Sequence, residues 1–123
     1  MTKILIIGGP RCGKTTNAID LGRRTGIETE HYDWMIDQYG WSEISDIIAD
    51  GLNDQGDWIR EGVAGVRGLR KWLRRNPGIP PFKIVVMNTP FIPMTPEQRR
   101  MHAGTTTMID QVMDEVEKRR NSH

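Results

Sequence analysis

Gly8, Gly13, Lys14 and Thr15 stand in the spacing G-x-x-x-x-G-K-[ST], within the stretch ILIIGGPRCGKTTNAIDLG. That spacing suits phosphate. Glycines at both ends let the backbone curl so that successive N–H groups point into one concavity, an anion nest. A helix expected over residues 15–24 turns its partly positive N-terminus toward the same anion. In this arrangement Lys14 reaches the β- and γ-phosphates of a nucleotide and the Thr15 hydroxyl ligates Mg²⁺. The nucleotide contacts expected from the loop are Gly8, Gly9, Pro10, Arg11, Cys12, Gly13, Lys14, Thr15 and Thr16. Arg11 is either a phosphate contact or a solvated loop arginine.

Phosphoryl transfer also needs an acid near the metal. The run KIVVMN ends in Asn88, where an aspartate is expected, but two other strand ends carry acids: Asp33 after TEHY and Glu61 after DWIR. In a parallel sheet both ends open toward the cleft beside the loop. Each has a structural alternative, Asp33 as a cap and Glu61 as a cap or an arginine partner. Arg67, Arg70, Lys71 and Arg74 share one face of a helix, with Arg75 beside them and Val63, Val66, Leu69 and Leu73 on another. This stripe reads as a solvated face, as a forked grip on an anionic substrate with Arg67 first, or as a phosphate-backbone contact for nucleic acid. Arg99, Arg100 and His102 follow the last strand and offer a mobile charge for the γ-phosphate or an exposed helix surface. Trp34, next to Asp33, is read as core or edge packing in preference to stacking on a planar substrate. His31, His102 and His123 lack metal-ligand spacing.

Strand and helix signals alternate. Strands are expected at residues 3–7, 28–32, 58–60 and 83–87, the last an apolar run of the kind a sheet buried on both faces requires. Helices are expected at 15–24, 42–52 and 63–74. After Pro90, Pro93 and Pro96 the chain turns helical, breaks at Gly104 and resumes over 106–120. Met108, Ile109, Val112, Met113 and Val116 form a core-facing stripe there, and residues 118–123 a frayed end. The implied fold is α/β, three layers about a short, mostly parallel sheet of four strands. At 123 residues, 37% hydrophobic and 27% charged, residues 1–123 fit one domain. A net charge of +1 gives no global case for nucleic acid or membrane. The single Cys12 allows no internal disulfide, and the first apolar run is too short for a signal core or a membrane span. A cytoplasmic protein is expected.

The order ILIIGGPRCGKTT, HYD and WIREGVAGVRGLRKWLR, with TPEQRRMHAG beyond, resembles small P-loop proteins of bacteriophages, often labelled ATPases and similar to the nucleoside and nucleotide kinase branch. The resemblance covers almost the whole chain. It implies an ATP-binding core, Asp33 near Mg²⁺ or the phosphoryl acceptor, Glu61 and Gly62 facing substrate, and Arg67 with Arg70 as the helix arginines. The chain departs from that branch in having no arginine-rich lid insertion and no clear fifth strand. The expectation is a compact kinase using ATP and Mg²⁺, with Lys14, Asp33, Glu61, Arg67 and Arg99 as catalytic candidates and Thr15 and Asp33 at the metal. Its acceptor is expected to be small and anionic or nucleotide-like. Two alternatives stand beside it: an ATPase without a small acceptor, and a nucleotide-binding module that contacts nucleic acid or protein through residues 67–75. No N-K-x-D guanine-reading motif is present.

Overall fold

Leu5, Ile6 and Ile7 are fully buried in the strand β1 (Lys3–Ile7) at the centre of the sheet. A strand buried on both faces must be apolar, and every residue of this one after Lys3 is. The computed structural model describes residues 1–122. Its elements follow as α1 (Lys14–Thr25), β2 (Thr29–His31), a 3₁₀ turn (Tyr32–Trp34), α2 (Ile36–Gly51), β3 (Trp58–Glu61), α3 (Gly65–Arg75), β4 (Lys83–Val86) and α4 (Pro96–Asn121). The sheet order is β2-β3-β1-β4 and every pair is parallel.

Strand parity sorts the layers. Ile6 and Ile59 pack with Ala18 of α1 on one face. On the other, Leu5, Ile7 and Trp58 meet Ile44 and Ile48 of α2, Leu69 and Trp72 of α3, and Ile109, Val112 and Val116 of α4. This is the three-layer α/β architecture expected, with four strands. The register aligns Ile6 with Glu61 and Glu61 with His31, so one row of the sheet carries both polar groups to the rim where the loop after β1 begins.

Four expectations are corrected. β4 is not buried on both faces: it lies at the sheet edge, with Lys83 and Val86 exposed, because among the described residues only β1 pairs with it. The last helix does not break at Gly104. It runs unbroken over its 26 residues, opened by a capping box between Thr95 and Gln98 with Pro96 in the first turn. One helical glycine costs only about 1 kcal/mol, which the buried stripe of Ile109, Val112 and Val116 outweighs. Nor is the chain end frayed before Asn121. Arg119 donates to the carbonyls of Leu73, Asn76 and Gly78 and so caps the end of α3; His123 lies outside the described residues. Finally, α2 starts six residues early, and its first turn is set off from the rest by a kink at Gly40.

Ion pairs lock α2 to α3: Lys71 and Arg75 reach Asp46, and Arg75 also reaches Asp50. Among the described residues no helix is long and apolar enough to cross a membrane.

Candidate active site

The loop between β1 and α1 is bracketed by the end of β4 and by α4. Asn88 Oδ1 accepts the Gly9 N–H at 2.8 Å, and its Nδ2 donates to Thr106 Oγ1 at 2.8 Å. His102 Nε2 lies 2.7 Å from the Asn88 carbonyl, and a Cβ at Gly9 would meet the His102 ring at 2.5 Å. Asn88 is therefore a bracket for the loop rather than a missing acid. Lys14 is buried and donates to the Gly9 carbonyl at 2.6 Å. Cys12 is buried too, and burial pushes its thiol pKa up against the opposing pull of the Lys14 charge.

Glu61 takes the position beside the loop that the sequence suggested for residue 88. It ends β3, next to β1, and its Oε2 accepts the Thr15 hydroxyl at 2.9 Å. The same oxygen accepts from His31 Nδ1 at 2.5 Å, while His31 Nε2 lies 3.1 Å from Thr29 Oγ1. The other carboxylate oxygen, Oε1, is buried without a hydrogen-bond partner. His31 is the residue that sequence reasoning missed. A search for metal-ligand spacing passes over it, whereas its place at a strand end, in parallel register with Glu61, is the signal that would have found it.

Asp33 sits in the 3₁₀ turn after β2, and its Oδ1 accepts the Val63 N–H at 2.9 Å. That contact depends on Gly62, where a Cβ would stand 2.8 Å from Tyr32 Cβ and 3.0 Å from Asp33 Oδ1. Desolvation raises the Asp33 pKa; the Val63 hydrogen bond opposes the rise and the Glu61 charge adds to it. Asp33, Arg11, Lys14, Thr15, Thr16 and Val63 are among the residues that line a cavity of about 390 Å³. Pro10, Cys12 and Gly13 line it as well, so the loop and the first strand-end acid share one space.

Val63 also lines a second cavity, of about 400 Å³, with Trp41, Arg67, Arg100, Met101 and Met108. The Arg67 guanidinium lies over the Trp41 ring at 5.0 Å. Arg99 is not brought in: it is exposed, and its guanidinium donates to the Met94 carbonyl. Arg100, its neighbour, faces the cavity instead. Arg70 and Arg74 lie elsewhere, around a smaller cavity with Glu115 and Arg119. Trp34 is 71% exposed, contrary to the packing expected of it, with its ring 4.2 Å from that of His31. A further cavity, of about 660 Å³, runs from Gly13 and Thr16 along α1 to Met87 and Phe91.

No protein-family model matches the chain, and no curated protein matches it. Among solved structures it is similar to shikimate kinase from Acinetobacter baumannii in complex with shikimate, at 14% identity and a TM-score of 0.61, over 94% of this chain and 80% of that one. Shikimate kinase from Bacteroides thetaiotaomicron aligns at 15% identity and a TM-score of 0.48, over 98% and 79% of the two chains. The chain thus shares its fold with the Acinetobacter enzyme.

Proposed function

We propose that the protein is a Mg²⁺-dependent phosphotransferase that moves the γ-phosphoryl group of ATP to a hydroxyl of a small anionic acceptor. The observation that carries this reading is the meeting of two cavities at Val63, one lined by the phosphate-binding loop and Asp33, the other by Arg67 and Arg100. A donor phosphate and an acceptor anion therefore have adjoining sites.

The residues fit a nucleotide-borne cation. Thr15 gives its proton to Glu61 and keeps its lone pairs. Among the described residues no group of three His, Cys, Asp or Glu could cage a metal by itself, and phosphates would supply most of the ligands of a nucleotide-borne Mg²⁺. Mg²⁺ would be held by Thr15, with Glu61 and Asp33 near it, and would neutralise charge on the transferring phosphoryl group. Lys14 would leave the Gly9 carbonyl for the β- and γ-phosphates. Asp33 would accept the acceptor's proton as its oxygen attacks the γ-phosphorus and the bond to the β,γ-bridging oxygen breaks; a raised carboxylate pKa suits a general base. Arg67 and Arg100 would hold the acceptor's anionic group, with Trp41 and Met108 against its apolar body. Two of the five basic residues on or beside the α3 stripe are already paired to α2, which favours a small acceptor over nucleic acid.

The test is phosphotransfer from ATP with Mg²⁺ to a panel of nucleosides, nucleoside monophosphates and small hydroxycarboxylates, run beside Lys14→Ala. Transfer to one acceptor, abolished in the variant, is the expected result. Phosphate release without a phosphorylated product in the presence of any acceptor would instead make the protein an ATP hydrolase.

A further inference from the structure

We propose that His31 is a positioning residue that fixes Glu61 so that the Thr15 hydroxyl proton is held away from the nucleotide and its lone pairs are presented to the cation. The inference rests on the phosphotransferase reading above. Glu61 reaches Thr15 through a side chain with several rotatable bonds, and a single hydroxyl donor does not fix its orientation. The second donor to the same oxygen does. His31 Nδ1 lies 2.5 Å from Glu61 Oε2, the atom that also accepts from Thr15. The side chains of His31 and Glu61 are only 5% and 1% exposed, so water does not compete for the contact.

The imidazole is itself held. Thr29 Oγ1 meets Nε2, the Trp34 ring covers one side, and the backbone of His31 is paired in register with Glu61. The orientation leaves Oε1 as the one carboxylate oxygen with no partner, in a buried position. A purely structural contact between β2 and β3 would be equally satisfied by bonding Oε1. Both donors instead converge on Oε2, which ties His31 to the hydroxyl of the phosphate-binding loop. Because that hydroxyl has one proton and two lone pairs, whatever directs its proton also directs its capacity as a ligand. Partners of this kind typically change metal affinity by about 10-fold to 100-fold when removed.

The test compares the whole chain with His31→Asn, His31→Gln and His31→Leu, measuring ADP affinity with Mg²⁺ and again with EDTA. An asparagine amide nitrogen sits near the position of Nδ1, whereas a glutamine amide nitrogen sits near that of Nε2. The expected result is that Mg²⁺ strengthens ADP binding in the parent protein and in His31→Asn. In His31→Leu and His31→Gln that gain falls by about tenfold, while affinity in EDTA stays unchanged. Equal weakening with and without Mg²⁺, or a gain preserved in all three variants, overturns the role assigned to His31. Should His31→Leu not fold, the contrast between the asparagine and glutamine variants decides the matter alone. If the parent protein binds ADP with no help from Mg²⁺, the positioning role is overturned and nucleotide binding stands. If it binds no ADP at all, the phosphotransferase reading falls and takes this inference with it.

Discussion

Asp33, just past the end of β2, and Glu61, at the end of β3, stand in different surroundings. Glu61 is buried with two donors on one oxygen, whereas Asp33 has one backbone donor and a carboxyl whose pKa desolvation raises above its ordinary value of 3.8. The folded protein therefore holds the Asp33 proton more tightly than the unfolded chain does. Stability falls as the pH climbs from 3.8 through the raised folded value, and the full penalty stands at neutral pH. Asparagine keeps an oxygen for the Val63 N–H and sheds the charge. Asp33→Asn should accordingly raise the melting temperature at neutral pH, with a gain that shrinks as the pH is lowered toward 3.8, while phosphotransfer drops by about 100-fold or more. Thermal unfolding across that range, beside the transfer assay, checks both halves. Arg11 carries strain of another kind, at φ 62. A left-handed residue with a side chain costs about 1–2 kcal/mol, so Arg11→Gly should stabilise the protein in urea denaturation by a similar amount, and any loss of ADP affinity in that variant would mark a phosphate contact.

Two glycines on helices test the packing of the elements in opposite directions. Gly68 lies where α3 crosses α2, and a Cβ there would come within 2.1 Å of Ile48 Cγ2, on a fully buried side chain. Gly68→Ala should therefore destabilise by about 1–3 kcal/mol through overpacking, against the usual helical gain of about 1 kcal/mol. Gly104 has open space around it, so Gly104→Ala should stabilise by about 1 kcal/mol, and urea denaturation of the pair gives opposite shifts if α4 is one helix. Expecting a break at Gly104 gave weight to a local propensity that the capping box at Thr95 and the buried stripe further along override. The same limit applies to β4. Its apolar run resembles a central strand, because a single strand does not record whether another lies beyond it. Patterns that repeat over several residues, in β1, α1 and α3, were legible. Which acid stands beside Thr15 was not legible: the sequence offered Asp33 and Glu61 at two strand ends, with Asn88 where an acid was expected at a third, and only the sheet order, which sets β3 rather than β2 beside β1, distinguishes them.

At the scale of the molecule, the cavity at the loop and the cavity at the α3–α4 junction adjoin at Val63, and ligands in the two proposed sites should add to stability separately. A ligand that binds only the folded chain stabilises it by about 2.7 kcal/mol at one hundred times its dissociation constant. For a chain of this length that is a rise of about 10 °C in melting temperature. ADP with Mg²⁺ should produce such a rise in the parent protein and none in Lys14→Ala, whose ligand-free melting temperature serves as its own reference, because the buried Lys14 contact to Gly9 contributes to the fold as well. A small anionic acceptor should add a further shift of its own. The guanidinium partners proposed for it, Arg67 and Arg100, come from α3 and α4 and line a cavity that the loop does not. That second shift should survive Lys14→Ala and disappear in Arg67→Ala or Arg100→Ala. The converse pattern, an anion whose stabilisation is lost with Lys14 and kept without the arginines, would mean that it occupies the phosphate nest itself, and the acceptor would then have to be sought outside the cavity at Val63.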